Sequence, residues 1–354
     1  MNSIKNIITG KQISKQLKAD LIGKDSYRGV TLTYSWLANQ FGHFSLGFLP
    51  SIILQRLLQK HTHIATPAFV AAIVVAVSWL LFELYNFLGP LLLKKHSTSH
   101  KLYVPTDVKY TFQPAWANVA FDTFTDVCFF AVGAFAASLF GGIIAKEIYV
   151  ICTLIVILMY PVRYWFITKM LLQYARFPVQ FRLSQWKGIM SQQNKETVEN
   201  YIKKSNNTNG NHLLIFGGRK TGKSLLSIGV ATDFAIKQHN CSYYTATKWY
   251  NLLELTNEEI IMAEDCDVWS WRTANVLVID DVNPSDPLHK DFITPTDLKS
   301  FIENTTLAQE NKADLKNKNV IWVMGKVDAT NNAEGWVQML KQTIGVVNIE
   351  VIKL

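Results

Sequence analysis

The stretch "LLIFGGRKTGKSLL", residues 213–226, decides how the C-terminal part of this 354-residue sequence is interpreted. Its "GGRKTGKS", at 217–224, fits the pattern G-x-x-x-x-G-K-[ST], whose glycines allow backbone N–H groups to surround phosphates. An apolar run at 212–216 precedes the pattern, and helical apolar spacing follows it over 223–238. Because strand, loop and helix come in the order that phosphate binding requires, the sequence predicts a nucleotide site with ATP and Mg²⁺ as ligands.

Each residue type in this loop suits one part of a nucleotide. We expect Lys223 to reach the β- and γ-phosphate oxygens and Ser224 to bind Mg²⁺, while the start of the following helix contributes its positive end. The predicted nucleotide-binding residues, which all lie in or next to the loop, are Gly217, Gly218, Arg219, Lys220, Thr221, Gly222, Lys223, Ser224 and Leu225.

A second motif, "NVLVIDDV" at 275–282, has the apolar pattern of a buried strand and ends in two aspartates. We expect Asp280 to bind Mg²⁺ through water, and Asp281 to act as the general base that polarises the attacking water. Lys223 and Asp281 are therefore the predicted catalytic residues. The alternative, an ordinary strand that ends in a turn, loses weight because the phosphate loop is already present.

Apolar runs at 241–247, 319–325 and 346–354 are predicted to be further strands, separated by helical segments. Strands that alternate with helices favour a parallel sheet covered on both faces, with the phosphate loop after its first strand. The sequence thus predicts an α/β P-loop domain with a parallel sheet over 211–354.

These two motifs and "SYYTATKWYNLLEL", at 242–255, resemble the helicase-loader and transposase-helper branch of the AAA+ ATPases over roughly residues 205–354. In that branch, an aromatic strand followed by Thr-Ala and a leucine-rich helix precedes a strand that ends in Asp-Asp. The resemblance implies an ATPase domain that binds and hydrolyses ATP.

The sequence departs from that branch at three points. Gly325 occupies a strand end where such proteins commonly place a polar sensor of the γ-phosphate, the chain stops at Leu354 without a helical lid, and no arginine follows Arg272. Lys326, Lys341 or a protein partner would have to replace an arginine finger, which is worth about 10³–10⁵ in rate. We therefore expect slow or partner-stimulated hydrolysis, and a homo-oligomer that completes the site.

The N-terminal half has the composition of a membrane protein. The whole chain is 49% hydrophobic and 18% charged, whereas about a quarter of the residues are charged in ordinary soluble proteins. Residues 1–188 hold 18 Lys and Arg against 7 Asp and Glu, and residues 189–354 hold 17 against 20. The basic excess thus flanks the apolar segments, and the C-terminal half lacks the positive charge that favours binding of nucleic acid.

Four stretches predict an α-helical membrane bundle in contact with lipid, because their apolar lengths match a hydrocarbon core of about 30 Å. Positive residues concentrate in the N-terminal tail, in the middle loop and after the fourth span, so these regions should face the cytoplasm. We therefore predict a multi-pass inner-membrane protein with a cytoplasmic ATPase domain. The predicted spans are 36–58, 64–93, 115–145 and 148–172.

This organisation divides the chain into four predicted segments. In the third segment, cations and aromatics around Trp186 indicate a stretch that lies in the lipid headgroup plane. A polar, Asn-rich stretch at 191–211 is predicted to be the domain boundary. The segments are a basic N-terminal segment at 1–35, a transmembrane domain at 36–172, a juxtamembrane segment and linker at 173–210, and the P-loop ATPase domain at 211–354.

Five polar residues fall at a similar depth in the predicted bundle, namely His43, Glu83, Asp122, Asp126 and Arg163. Charged groups inside a membrane are costly and face a partner or a water-filled cavity. Three interpretations remain open: an ion-pair network in which Arg163 is the counter-charge, a gated pathway for protons or cations, and a metal site formed by His43 and the carboxylates.

The preferred interpretation is a membrane-anchored ATPase whose P-loop domain binds and hydrolyses ATP to switch or assemble the transmembrane bundle. A membrane-acting defence effector would be one protein of this kind. The alternative is a membrane-tethered adaptor, similar to a helicase loader, for a DNA-handling complex. ATP hydrolysis measured with and without DNA distinguishes the two.

Overall fold

The computed structural model describes residues 8–21, 30–92, 111–141, 145–264, 268–283, 294–327 and 332–354. The chain divides into two compact units. One unit comprises Leu17–Lys109 and Pro114–Lys169, and the other comprises Met1–Gln16, Tyr110–Gln113 and Met170–Leu354.

Most of the described N-terminal residues are helical, including the stretches predicted to be spans. Three of the helices are long and apolar enough to cross a membrane, and they correspond to the second, third and fourth predicted spans. The helices are α1 (Gly10–Leu21), α2 (Leu32–His61), α3 (Pro67–Leu92), α4 (Trp116–Ser138), which continues into a 3₁₀ turn at Leu139–Gly141, and α5 (Ala145–Tyr174).

The first predicted span, 36–58, lies inside α2. This helix has 30 residues, enough to cross a bilayer, but it is less apolar than the other three long helices. The reason is that most of the side chains that α2 buries are polar, whereas its partners bury apolar ones. The count of four spans therefore remains a prediction. The buried residues of α2 are Thr33, Trp36, Gln40, Gly47, Ser51 and Gln55.

Helices α2 and α4 cross in close contact at two glycines. A methyl group at Gly47 would lie 2.0 Å from the carbonyl oxygen of Phe130, and one at Gly133 would lie 2.0 Å from the carbonyl oxygen of Phe44. Small residues let helix backbones approach in this way, as is common between membrane helices. Any side chain at either position would push the two helices apart.

The C-terminal unit is an α/β fold built on a five-stranded sheet. The strands run in the order β2-β3-β4-β1-β5, and every neighbouring pair is parallel, as predicted. The strands are β1 (Asn211–Phe216), β2 (Cys241–Thr245), β3 (Val276–Asp280), β4 (Asn319–Met324) and β5 (Asn348–Lys353). The helices are α6 (Gln192–Ser205), α7 (Lys223–Ile236), α8 (Ala246–Tyr250), α9 (Asn257–Ala263), α10 (Pro295–Glu303), α11 (Ala308–Lys316) and α12 (Ala333–Met339).

Helices cover both faces of this sheet. On one face, α7 packs on β1, β3 and β4, and Tyr201 of α6 contacts Phe234 of α7. On the other face, Phe216 and Trp322 share an apolar core with residues of α8 to α12. Burial on both faces explains why the strands are continuous apolar runs without polar alternation.

The strand order places a crevice at one end of β1. Strands β1 and β4 are neighbours in the sheet. The connection from β1 runs to β2 at one edge of the sheet, and the connection from β4 runs to β5 at the opposite edge, so the two connections diverge. Ligands of open α/β sheets bind at the carboxyl ends of the strands at such a point. The phosphate loop follows β1 directly and therefore lies there.

The predicted juxtamembrane segment and linker at 173–210 is folded against the α/β unit. Its polar, Asn-rich part forms α6, which Ser191 caps and which buries Val198, Tyr201 and Ile202. These residues recur at helical spacing within a polar sequence. The polar composition alone therefore predicted a linker where the structure has a helix. Trp186 is also buried in this unit, which contradicts the prediction that it faces lipid headgroups.

Candidate nucleotide site

The loop between β1 and α7 is a tight turn that requires glycine. Gly222 has φ 86° and Lys220 has φ 66°, both in the left-handed region. A methyl group at Gly217 would lie 2.8 Å from Thr221 Oγ1, and the hydroxyl of Thr221 donates to the carbonyl oxygen of Gly218 at 3.0 Å. The loop backbone thus folds closely around the space at the start of α7, as a phosphate cradle requires.

Lys223, the first residue of α7, lies across this loop. Its Nζ donates to the carbonyl oxygen of Gly218 at 3.1 Å, and the side chain is half-buried. Burial lowers the pKa of Lys223, and the negative charges of Asp280 and Asp281 oppose that shift. The structure therefore brings together the lysine and the two aspartates that the two motifs identified.

The other predicted loop residues occupy the same turn. Ser224 is half-buried in the first turn of α7, and its carbonyl oxygen accepts a hydrogen bond from Ser227. Arg219, Lys220 and Leu225 are exposed at the rim of the loop. Their backbone positions suit phosphate contact, whereas their side chains point away from the protein core.

Asp280 and Asp281 end β3 beside the loop. Asp280 is only 2% exposed, and its Oδ1 accepts the backbone N–H of Asp281 at 2.8 Å. Asp281 is exposed and has φ 55°. Partial desolvation of the Asp281 carboxyl raises its pKa, the charge of Asp280 raises it further, and Lys223 lowers it. A carboxyl with a raised pKa is a better proton acceptor near neutral pH.

These residues fit a magnesium nucleotide. The buried carboxylate of Asp280 and the hydroxyl of Ser224 are oxygen ligands of the kind that Mg²⁺ prefers, and Mg²⁺ keeps most of its other sites for water and phosphate. Two adjacent carboxylates repel each other, and after desolvation the charge of Asp280 is the second cause that raises the pKa of Asp281. A divalent cation and phosphates placed among Asp280, Ser224 and Lys223 would compensate these charges.

A polar residue outside both motifs supports the site. Asn283 is buried, and its Oδ1 accepts the backbone N–H of Gly325 at 2.6 Å. The carbonyl oxygen of Gly325 in turn accepts the backbone N–H of Gly217 at 3.2 Å. Gly325 thus ties the end of β4 to the phosphate loop. Nothing in the sequence distinguishes Asn283 from an ordinary turn residue.

Tyr243 of β2 contacts the predicted Mg²⁺ ligand. Its hydroxyl donates to Asp280 Oδ2 at 2.6 Å, and burial, followed by the charge of Asp280, raises the pKa of Tyr243. The backbone N–H of the same tyrosine donates to the carbonyl oxygen of Ala175, the residue directly after α5. One residue therefore joins the aspartate to the end of an apolar helix.

Arg176 anchors the same turn after α5. It has φ 60°, and its Nη1 lies 2.8 Å from Oε1 of Glu264, whose side chain is almost fully buried. Lys248 Nζ lies 2.8 Å from the same oxygen. Two cations thus compensate one buried carboxylate. Loss of either cation would leave a buried charge less well paired, so the contact between Arg176 and Glu264 is costly to break.

Trp186 forms a second contact between the segment after α5 and the loop. Its Nε1–H donates to the carbonyl oxygen of Gly222 at 2.9 Å, and its ring packs against Phe112. A methyl group at Gly229 of α7 would lie 2.9 Å from Leu183, so this segment is pressed against α7. A lone tryptophan in a basic segment carries no signal of such a contact, which only the fold reveals.

The two lysines considered as substitutes for an arginine finger lie in different places. Lys326 directly follows Gly325 at the carboxyl end of β4 and is therefore next to the loop. Lys341 borders a separate surface cavity together with Asn194 and Glu334. Only the first position suits contact with a phosphate in the same chain.

The structure separates the predicted intramembrane cluster. His43 Nδ1 lies 3.0 Å from Asp126 Oδ1, and the charges of Glu83 and Asp122 act on the same histidine. Arg163 is exposed on α5 and is not among the charges that act on His43 or on Glu83. No group of three or more His, Cys, Asp or Glu side chains in the described ranges is arranged to hold a metal ion.

The fold defines a helical membrane region followed by an α/β domain with a parallel sheet. The family model described as "Predicted membrane protein (DUF2238)" matches residues 22–147. The crystal structure of the DnaC helicase loader matches 54% of this chain and 99% of that chain, with 16% sequence identity and a TM-score of 0.33. No curated protein matches the chain.

Proposed function

We propose that this protein is a membrane-anchored ATPase, in which the α/β domain binds and hydrolyses ATP to switch or assemble the transmembrane bundle. The observation that carries the proposal is the position of Lys223 beside Asp280 and Asp281, at the carboxyl ends of parallel strands and at the start of α7. The resemblance of these motifs to AAA+ ATPases agrees with it.

Different residues of the chain would bind the phosphates, accept the proton and hold the metal ion. Backbone N–H groups of the loop and the ammonium group of Lys223 would bind the phosphates. Asp281 would accept the proton of the attacking water, and Asp280 with Ser224 would hold Mg²⁺. When bound, Mg²⁺ neutralises the phosphate charge and polarises the transferred group.

Two contacts explain how the site would act on the membrane region. Trp186 donates a hydrogen bond to the backbone of Gly222 in the loop. Tyr243 donates hydrogen bonds to Asp280 through its hydroxyl and to Ala175 through its backbone N–H. Each of these contacts involves a residue that follows α5 in the chain, namely Trp186 or Ala175. Binding of a nucleotide that shifts the loop or Asp280 would therefore change the position of the chain where α5 ends.

The remaining parts of the proposal concern location and assembly. We infer an inner-membrane location with the ATPase domain in the cytoplasm, because the basic residues flank the apolar helices asymmetrically. A homo-oligomer, or a partner protein, would provide the cation that stabilises the transferred phosphoryl group, with Lys326 as the cation within the chain. Lipid surrounds the apolar helices in either case.

The test uses the full-length protein purified in detergent. We expect ATP hydrolysis that requires Mg²⁺ and occurs without DNA, and a particle mass larger than one chain. Failure to bind ATP at millimolar concentration would refute the proposal. Hydrolysis that appears only when DNA is added would favour the DNA-handling adaptor instead, and a fully active monomer would refute the shared site.

Replacement of Tyr243 by phenylalanine tests the link between β2 and Asp280. The change removes a charge-assisted hydrogen bond to a metal ligand, and loss of such a partner typically lowers metal affinity about 10–100-fold. We expect the Mg²⁺ concentration for half-maximal hydrolysis to rise by about tenfold, while ATP binding without Mg²⁺ stays the same. Titration of the rate against Mg²⁺ measures this.

The matched control is Tyr244→Phe. This neighbouring hydroxyl donates to Glu264 on the far side of the strand, so the change removes a comparable bond without touching Asp280. An equal rise in the Mg²⁺ requirement of both variants would mean that the effect comes from β2 stability, and the role assigned to Tyr243 would be wrong.

A further inference from the structure

Most of the side chains that helix α2 buries are polar, and several of its exposed side chains are large and apolar. Its exposed side chains include Phe41, Leu49 and Ile53, whereas the buried ones include Thr33 and Gln55. A soluble helix has the opposite arrangement, and an inward polar face is the form that a membrane helix takes when it lines a hydrated interior. At about 1.5 Å per residue, Thr33 and Gln55 lie about 33 Å apart, the thickness of a hydrocarbon core.

Several polar atoms along this interior have no hydrogen-bond partner among the residues that the structure describes. Gln40 Oε1 and Ser51 Oγ are two, in side chains of residues only 3% and 1% exposed. Both carboxylate oxygens of Glu147, which is fully buried at the start of α5, are also unpartnered. Buried polar groups normally find a partner in protein or water, so this row of atoms indicates places for water or a transported ion.

Glu147 lies at the same end of the bundle as Gln55. Val150 and Ile151, one turn further along α5, pack in an apolar cluster with Leu54 of α2. Residues at i, i+3 and i+4 share a helix face, so Glu147 faces the same group of helices. It therefore extends the row of polar side chains beyond Gln55.

Titratable groups lie between Gln40 and Ser51, in the middle of this row of polar side chains. His43 of α2 faces Asp126 and Asp122 of α4 and Glu83 of α3. Its Nδ1 lies 3.0 Å from Asp126 Oδ1 without the geometry of a hydrogen bond. Histidine exchanges protons near neutral pH, and carboxylates beside it can take up or return them.

A stack of aromatic rings follows directly after His43. Its ring stacks on Phe130 at 4.7 Å between centroids, and Phe130 stacks on Trp79 at 4.3 Å. One turn further, the glycines Gly47 and Gly133 hold the backbones of α2 and α4 together. This region contains no polar side chain of α2 between His43 and Ser51 other than Ser45, which is exposed.

We propose that the polar interior of α2 is a proton path, closed in this structure by the stack of His43, Phe130 and Trp79 and by the glycine contact. One half would run from Thr33 to His43 and its carboxylates, and the other from Ser51 to Glu147. Each proton taken up at one end is released at the other, with no change of oxidation state. Hydrophobic constrictions of this kind gate channels.

The proposal deepens the proposed function, because it identifies what the ATPase would switch. Separation of α2 from α4 would open the constriction, and α5 follows α4 in the chain and leads to the nucleotide site. Protons suit this path better than metal cations, since the row consists of histidine, carboxylate, amide and hydroxyl groups that both donate and accept hydrogen bonds. The described residues form no cluster for a metal ion.

Full-length protein in liposomes provides the test. An internal pH dye reports proton flux driven by a K⁺ gradient with valinomycin. We expect Phe130→Ala, which removes the central ring, to raise proton flux at least about tenfold without ATP. Gly133→Ala, which forces α2 and α4 apart, should have the same effect by a different route. Adding Glu147→Gln to either variant should return the flux to background.

Arg163→Gln is the matched control, since it changes an exposed charge of the same bundle outside the path. Combining Phe130→Ala with Lys223→Ala should preserve the leak, which makes the result independent of nucleotide binding. Background flux in both opening variants, with helix content and particle mass unchanged, would overturn the proposal and leave the ATPase proposal standing. Equal flux of Na⁺ and protons would overturn the assignment to protons.

Discussion

Replacement of Lys223 by alanine is expected to weaken ATP binding to the full-length protein by about 100-fold or more, which corresponds to about 3 kcal/mol. The ammonium group is half-buried, lies 3.1 Å from the carbonyl oxygen of Gly218 and is close to Asp280 and Asp281. Alanine leaves those carboxylates facing the phosphates without a compensating cation. A fluorescent ATP analogue, titrated in detergent, measures the change.

Lys237→Ala is the control for this variant. Lys237 lies at the opposite end of α7, where it pairs with Asp233 on the surface, so its loss changes the charge of the same helix without changing the loop. Its ATP affinity should stay within a factor of about two, since exposed pairs contribute little. Unchanged affinity in Lys223→Ala itself would mean that the loop does not bind phosphate.

Replacement of Asp281 by asparagine is expected to slow hydrolysis by about 10²–10⁴-fold, the contribution of a general base, while ATP remains bound. Asp281 has φ 55°, a conformation that asparagine adopts readily. The variant therefore tests the charge and not the backbone. Loss of the charge also removes the repulsion from Asp280, so ATP affinity should stay the same or increase.

Single-turnover hydrolysis, measured with ATP already bound, separates the two effects. Wild-type rates in Asp281→Asn would show that another group activates the water. Weak binding with a normal single-turnover rate would move Asp281 from the chemical step to the binding of the nucleotide. Neither result would alter the role of Lys223, which the first variant tests alone.

Local patterns predicted the chemical centre of the site. The glycines of the loop, Lys223 and the Asp280–Asp281 pair are recognisable because strand, turn and helix signals lie within a few residues of one another. Gly222 confirms the reason for the pattern, since its φ of 86° excludes most other residues. The predicted strands agree with the observed strands to within two residues at each end, because short apolar runs bounded by polar residues mark buried strands.

The membrane helices were equally visible, apart from α2. Length and apolar composition identify α3, α4 and α5 without knowledge of their contacts. Helix α2 is ambiguous because it buries mostly polar side chains and exposes several large apolar ones, and composition does not tell which residues are buried. Arg163 is exposed and is not among the charges that act on His43, because depth along a helix does not determine the direction in which a side chain points.

By itself, the sequence determined the parallel α/β pattern and the apolar helices, and it predicted the candidate phosphate loop and the aspartate pair, because each depends on residues close together in the chain. Only the tertiary structure decided that Trp186 contacts Gly222, that Tyr243 contacts Asp280 and that Asn283 holds Gly325, pairs that lie 36, 37 and 42 residues apart. It also decided that Gly47 lies against the backbone of Phe130 and that Gly133 lies against the backbone of Phe44. Such contacts depend on strand order and helix packing, which bring distant residues together through long-range burial and leave no periodic trace in the sequence.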